Sequence, residues 1–219
     1  MEINISTEIR EACPELSLAI ISCEVKNLPS QVNLWLEMEA EIKKIKFEYT
    51  IEQINKRPEI QATRNAYKIL GKDPNRYRPS AEALCRRIVR DISIYKVSTL
   101  VDIINLVSIN SGFSIGGFDI DKIHGDIKLG VGTIDDEFEA IGRGLLNVEG
   151  LPLYRDEKGG IGTPTSDNER TKISEDTTRL LMIINGYNGK AGLQNAVDLS
   201  ISLLKKYAGL TMYELKWKD

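Results

Sequence analysis

Thr163, Thr165 and Ser166 lie in the stretch Gly159-Gly160-Ile161-Gly162-Thr163-Pro164-Thr165-Ser166-Asp167-Asn168-Glu169-Arg170-Thr171, which looks built for more than packing. Three glycines within four residues leave backbone amides bare, so a ligand or another chain can approach closely. Pro164 fixes its own φ and pushes Thr163 into an extended conformation. The side chains of Thr165, Ser166, Asp167 and Asn168 bond readily to nearby backbone and hold an irregular loop in one shape. Arg170 ends the run with a planar, permanently charged fork. The same composition also makes an ordinary surface hairpin, so this stretch alone leaves both readings open.

A second candidate lies between residues 64 and 96. Nine basic residues (Arg64, Lys68, Lys72, Arg76, Arg78, Arg86, Arg87, Arg90 and Lys96) stand there against three acidic ones, in a chain whose net charge is −3. Arg76-Tyr77-Arg78 is basic-aromatic-basic, suited to phosphates and a stacked base. Arg86, Arg87 and Arg90 fall opposite the apolar stripe of a predicted helix and so point to solvent. A solvated helix face is the competing reading. On the nucleic-acid reading, Arg76, Arg78, Arg86, Arg87 and Arg90 are the candidate RNA contacts.

Asp119, Asp121, His124 and Asp126 have the spacing of oxygen ligands, but the glycine and glutamate that complete a calcium loop are missing. No metal is expected. No phosphate loop, dinucleotide fingerprint, paired Cys-x-x-Cys or nucleophile elbow occurs, and no cofactor is expected. His124 is the chain's one histidine, and nothing around it supports a Ser-His-Asp arrangement.

These residues need elements to position them. Leu16 to Val25 is a continuous apolar run that reads as a strand buried on both faces. Pro29-Ser30 opens a helix with the stripe Val32, Trp35, Leu36, Ile42 and Ile45. A short helix follows from about Gln61 to Leu70, capped by Gly71. Pro79-Ser80 opens the basic helix, and a fourth runs from about Ser98 to Ile109. From Ile115 onwards, short apolar or alternating runs punctuated by Gly, Asn and Asp read as a sheet-rich half. A last helix from about Leu193 to Tyr207 and an alternating strand from Leu210 to Trp217 close the chain. The expectation is one α+β domain over residues 1–219, with helices before residue 112 packed on a sheet built mostly from residues 113 to 187.

Composition agrees with this. Of 219 residues, 42% are apolar and 28% charged, as in ordinary globular proteins. Cys13, Cys23 and Cys85 are odd in number and sit in apolar surroundings, which suits reduced thiols better than a disulfide framework. With no basic-then-apolar leader and no apolar run of membrane-spanning length, the expected location is the cytoplasm.

Several ordered blocks carry a family resemblance. They are Asn65-Ala66-Tyr67-Lys68-Ile69-Leu70-Gly71-Lys72-Asp73-Pro74, Tyr77-Arg78-Pro79-Ser80-Ala81-Glu82-Ala83-Leu84 and Leu100-Val101-Asp102-Ile103-Ile104-Asn105-Leu106-Val107-Ser108. To these are added Phe118-Asp119-Ile120-Asp121-Lys122-Ile123, Ile141-Gly142-Arg143-Gly144, Glu149-Gly150-Leu151-Pro152 and the Gly-rich loop through Arg170. Together they resemble the tRNA-editing domain, B3/B4 type, of the phenylalanyl-tRNA synthetase beta subunit, in its free-standing form. The match covers roughly residues 60 to 190.

The resemblance implies a single three-layer domain, with helices packed on a mixed or antiparallel sheet. It also implies a function: holding the aminoacylated 3′ end of a tRNA and hydrolysing the ester to a wrong amino acid. The family's Val-Asp-x-x-Asn helix falls on Asp102 and Asn105, and the glycine of its pocket loop falls near Gly162. The catalytic candidates are accordingly Thr163, Thr165, Ser166 and Asn105. The substrate-binding candidates are Gly160, Gly162, Gly116, Gly117, Met182 and Arg143. The sequence departs from the bacterial synthetase domain at two places. Gly116-Gly117 stand where that domain has a histidine, and Leu181-Met182-Ile183 stand where it has a tyrosine-recognising glutamate. Two functions therefore stand beside each other: an aminoacyl-tRNA deacylase acting in trans, and a non-catalytic RNA- or amino-acid-binding module. Neither is a complete synthetase. The expected partner is tRNA and not a membrane, with association with a synthetase or with a second copy left open.

Overall fold

The computed structural model describes residues 1–219. Its organising feature is a strand whose two faces both need cover. Ser17–Glu24 (β2) sends Ala19, Ile21 and Cys23 to one side and Leu18 and Ile20 to the other, and all five are buried. This alternation is what a continuous apolar run produces once it is extended. Two short elements precede it: Ile3–Ile5 (β1) and Thr7–Ala12 (α1), the latter capped by Ser6.

Val32–Glu48 (α2) buries Leu34, Trp35, Met38 and Ile45. Val32 and Leu36, expected on that stripe, face outwards instead (77% and 58% exposed). The buried face is set by the position of Trp35, whose indole must reach Asp102. Pro58–Ile69 (α3) begins with proline at its first position and ends before Gly71, which takes positive φ. Ser80–Ile88 (α4) buries Ala81, Cys85 and Ile88. Thr99–Ser111 (α5) ends at Gly112 in the left-handed region. The buried Arg57 donates to the last carbonyls of α5, Ile109 and Asn110, each at 2.8 Å. A cation there suits the negative end of the helix.

The second half supplies Ser114–Asp119 (β3), Ile127–Val131 (β4), the two-residue strands Glu139–Ala140 (β5) and Gly144–Leu145 (β6), Pro152–Asp156 (β7), Gly159–Gly162 (β8) and Arg179–Gly186 (β9). Leu193–Tyr207 (α6) and Tyr213–Lys218 (β10) follow. One sheet is antiparallel, in the order β10-β2-β9-β3. The other has the order β1-β4-β7-β8, with β1 parallel to β4. β5 and β6 form a small separate ribbon.

The layers are helices, sheet and sheet. Leu180, Met182 and Ile184 of β9 pack beneath α2, α4, α5 and α6, while Leu181 and Ile183 face Ile127, Leu129, Tyr154 and Ile161 of the second sheet. The fold is α+β with mixed and antiparallel sheets. Most of the strands lie within residues 113–187, as expected. β2 and β10 come from the two ends of the chain, because a strand apolar on both faces has to be interior to a sheet. No helix is long and apolar enough to cross a membrane.

Candidate functional site

The Gly-rich stretch is a hairpin, and it is buried. β8 runs into a bridge between Gly162 and Asp167, so Thr163-Pro164-Thr165-Ser166 is the connection. Thr163 Oγ1 accepts the amides of Thr165 and Ser166, both at 3.1 Å, and the Thr163 amide donates to the Ser166 carbonyl at 2.9 Å. Two helices hold the tip in place. The Ser80 amide, opening α4, donates to the Pro164 carbonyl at 2.8 Å. Thr165 Oγ1 and the phenol oxygen of Tyr67 on α3 meet at 2.9 Å. Burying a connection is tolerable only when its polar groups are paired in this way.

Asp167, just beyond the connection, turns its carboxyl over β3. The Gly117 amide donates to its Oδ2 at 3.1 Å. A Cβ on Gly162 would lie 2.8 Å from Asp167 Oδ1 and 2.6 Å from the Phe118 ring, and one on Gly116 would lie 3.5 Å from the same oxygen. These glycines make room for a carboxyl group. Burial pushes the Asp167 carboxyl up to about 7, against the opposing pull of the Gly117 amide.

Asp167 lines a cavity of about 390 Å³. Leu84, Val97, Val101, Ile104, Ile115, Ile141 and Ile173 give it an apolar wall, and Asn105, Thr163 and Ser166 are among its polar members. A groove of about 270 Å³ adjoins it, sharing Ser80, Leu84, Val97 and Asn105. Arg87, Tyr95, Arg143 and Thr165 line the groove. Asn105 and Ser80 thus stand where the apolar cavity meets a groove lined by Arg87, Arg143 and Tyr95.

The sequence matches the B3/4 domain family over residues 62–209, more than half of the chain. The chain belongs to the B3/4 domain family. Its fold is similar to a solved structure, the N-terminal fragment of the phenylalanyl-tRNA synthetase beta-subunit from Pyrococcus horikoshii, with a TM-score of 0.50 and 14% identity. The likeness covers 100% of this chain and 54% of that one, so the chain spans about half the length of the fragment. No curated protein sequence matches it.

In this B3/4 domain the other sequence candidates take varied places. Gly117 lines the cavity, whereas Gly116 and Gly162 sit behind Asp167, and Gly160 packs where a Cβ would meet Phe138 at 2.8 Å. Met182 is fully buried in the helix-side core and does not line the cavity; neither do Leu181 and Ile183, which face the other sheet. Asp102 is structural in its contacts, accepting from the Ser30 hydroxyl, the Trp35 indole (2.8 Å) and the Val97 amide (3.2 Å). The three thiols are buried and pushed up to about 11 (Cys13), 12 (Cys23) and 11 (Cys85) by burial, which removes them as nucleophiles near neutrality.

The basic stretch of the B3/4 domain is thinner in space than in sequence. Arg64 is buried against Glu82 (2.7 Å), and Lys72 is buried over the Tyr77 ring with Nζ on the Asn147 carbonyl. Arg86 is turned back to the Ile51 carbonyl (3.3 Å) and is not fully solvated. Arg76, Arg78 and Arg90 are exposed, and Arg87 is half-buried beside Tyr95, bonded to the Ser93 carbonyl.

Each acid of the Asp119–Asp126 turn already holds a partner. Asp119 takes Thr177 and Lys122, Asp121 takes Arg179, and Asp126 takes the Glu2 amide. No cluster suited to a metal ion is present. Arg170 forms a two-pronged pair with Asp156 at 2.7 and 2.9 Å. Burial works against that carboxylate, but Arg170 and the amides of His124 and Lys158 outweigh it and hold Asp156 below its ordinary range. Arg170 therefore locks the end of the loop and does not reach the cavity wall.

Sequence reasoning passed over Ser80, Tyr95 and Asp167 as site residues. Asp167 had a signal: the extended pairing of Gly162 with a residue after Ser166 sends alternate side chains to the face that the bare glycines leave open.

Proposed function

We propose that this B3/4 domain binds the 3′ end of an aminoacylated tRNA and hydrolyses its ester. The observation that carries the reading is the junction at Asn105 and Ser80, between an apolar cavity of amino-acid size and a groove holding Arg87, Arg143 and Tyr95. The aminoacyl side chain occupies the cavity. The terminal adenosine and its phosphates lie in the groove, where an exposed aromatic and two arginines offer stacking and charge. Water adds to the ester carbonyl carbon, the bond to the ribose oxygen breaks, and that oxygen takes up a proton. Ser166 is the freest hydroxyl of the loop, its recorded bond being 3.3 Å to a carbonyl, and it orients the water together with Asn105. Thr163 and Thr165 act by shaping the hairpin. The chain is not a complete synthetase on this reading, and three buried free thiols suit a reducing compartment, the cytoplasm.

A second reading, a binding module without hydrolysis, is favoured by the commitment of both threonine hydroxyls, Thr163 to the hairpin's own amides and Thr165 to the Tyr67 phenol. A panel of mischarged tRNAs carrying branched apolar or aromatic amino acids separates the two. Deacylation that falls about a hundredfold in Ser166→Ala or Asn105→Ala supports the hydrolase. Tight binding with intact esters assigns the binding module.

A further inference from the structure

Asp167 and Lys172 are the two charged side chains on the cavity wall. Lys172 is already engaged, its Nζ bonded to the Glu169 carboxylate. Asp167 is engaged on one side, through Oδ2 and the Gly117 amide. Its other oxygen, Oδ1, sits in the space left by Gly116 and Gly162 and has no hydrogen bond within the chain. Of the other polar wall residues, Ser108 donates to the Phe113 carbonyl at 2.7 Å and Thr163 Oγ1 serves the hairpin, while Ser80, Asn105 and Ser166 carry no charge. Asp167 thus stands on the wall of an apolar cavity with one carboxylate oxygen that no group of the chain meets.

We propose that Asp167 anchors the ammonium group of a ligand, so that the cavity takes primary ammonium compounds with a compact apolar side chain. A cation brought against this half-buried carboxylate supplies the partner that the chain itself does not. With Oδ2 occupied, a single oxygen remains, which suits a point-like ammonium better than the two-pronged fork of a guanidinium. The volume suits an amino-acid side chain, at the small end of ligand cavities. The inference rests on the aminoacyl reading above for its orientation: an α-ammonium at Asp167 directs the adjacent carbonyl towards Asn105 and the groove. An N-acylated amino acid has no cation to offer and is rejected. Near neutrality the carboxyl is poised between its two forms, and an arriving cation completes its ionisation. Lys172 and, behind Asp167, the Tyr154 phenol bonded to Asn185 are the titratable groups around it.

The test needs no turnover. Calorimetric titration compares leucinamide, which carries the ammonium, with 4-methylpentanamide, which has the same shape without it. Wild-type protein at pH 7 is expected to bind leucinamide at least about tenfold more tightly, a difference of about 1.4 kcal/mol. Asp167→Asn, which keeps an acceptor for the Gly117 amide, is expected to erase that difference. Wild-type affinity for leucinamide should also rise severalfold from pH 5.5 to 7, and stay flat in the variant. Equal affinity for the two amides, an unchanged variant, or no leucinamide binding at millimolar concentration overturns the proposal. The wild-type comparison stands even if the variant folds poorly. Failure of the hydrolase reading appears separately, as intact mischarged tRNA, whatever the amides do.

Discussion

Gly162 and Asp167 are paired across the hairpin so closely that a single added methyl group on Gly162 would lie 2.8 Å from Asp167 Oδ1. The Phe118 ring, fully buried, blocks the other direction at 2.6 Å. The glycine is therefore required by close approach within the chain, and the carboxyl group depends on it for its position.

Gly162→Ala should move Asp167 or the Phe118 ring and destabilise the fold by about 1–3 kcal/mol, the usual cost of overpacking a filled site. For a chain of this length that is a fall in melting temperature of roughly 3–10 °C. Ligand binding should weaken further than the melting curve alone explains, since the anchoring oxygen shifts. A variant with wild-type melting and wild-type amide binding would remove the close-approach argument.

The Asp167 carboxyl sits above its unfolded value, because burial favours the protonated form. Between about pH 4 and 7 the folded chain holds a proton that the unfolded chain has released, so this group's contribution to stability falls as pH rises through that window and is constant above it. Asp167→Asn removes the effect. The variant should match the wild type near pH 4, pull ahead as pH rises through the window, and exceed it at pH 8 by on the order of 1–3 kcal/mol. Urea denaturation at the two pH values measures the difference, and a gap that widens towards low pH would contradict it.

Charge reversal of Arg87 and Arg143 to Glu should weaken tRNA binding strongly, because both line the groove that leaves the cavity. Adding Arg90→Glu should weaken it further. The wild-type affinity should fall steeply with salt, and each lost phosphate contact should lower the slope of log K against log salt by about 0.7–0.9. Arg86 behaves differently, since it is turned to the Ile51 carbonyl and lies 3.8 Å from the buried Glu82. Arg86→Gln should alter stability more than affinity. Filter-binding titrations at several salt concentrations distinguish these outcomes.

Thr165→Val leaves the Tyr67 phenol buried without its partner, and should cost about 1–3 kcal/mol of stability. Ser166→Ala breaks only a 3.3 Å contact and should leave the melting curve unchanged within about 0.5 kcal/mol. If hydrolysis occurs, its loss belongs to Ser166, at about a hundredfold in kcat. Thermal melts read against single-turnover deacylation of the same variants separate a hydroxyl that holds the loop from one that holds water.

The sequence alone determined the elements whose local pattern leaves little choice. The apolar run at Ser17–Glu24 could only be a strand covered on both faces, and Gly71 marks the stop of α3, whose start at Pro58 precedes the expected Gln61. The ordered blocks between residues 60 and 190 also identified the family, because several short matches in register constrain one another. Tertiary structure decided where charge and chemistry lie. Nine basic residues read as one patch, yet Arg64 and Lys72 are buried and Arg86 is turned inwards, a matter of partners distant in sequence. The cavity wall is Val97, Val101, Ile104, Ile115, Ile141 and Ile173 and not Leu181, Met182 and Ile183, because β9 is interior and its alternate side chains are consumed by the two cores. Asp167 shows the same division most sharply. Its identity as an aspartate in a turn says only that it can bond to backbone; its free oxygen in an apolar cavity exists because β3, β8 and α5 converge there, and no local pattern encodes that convergence.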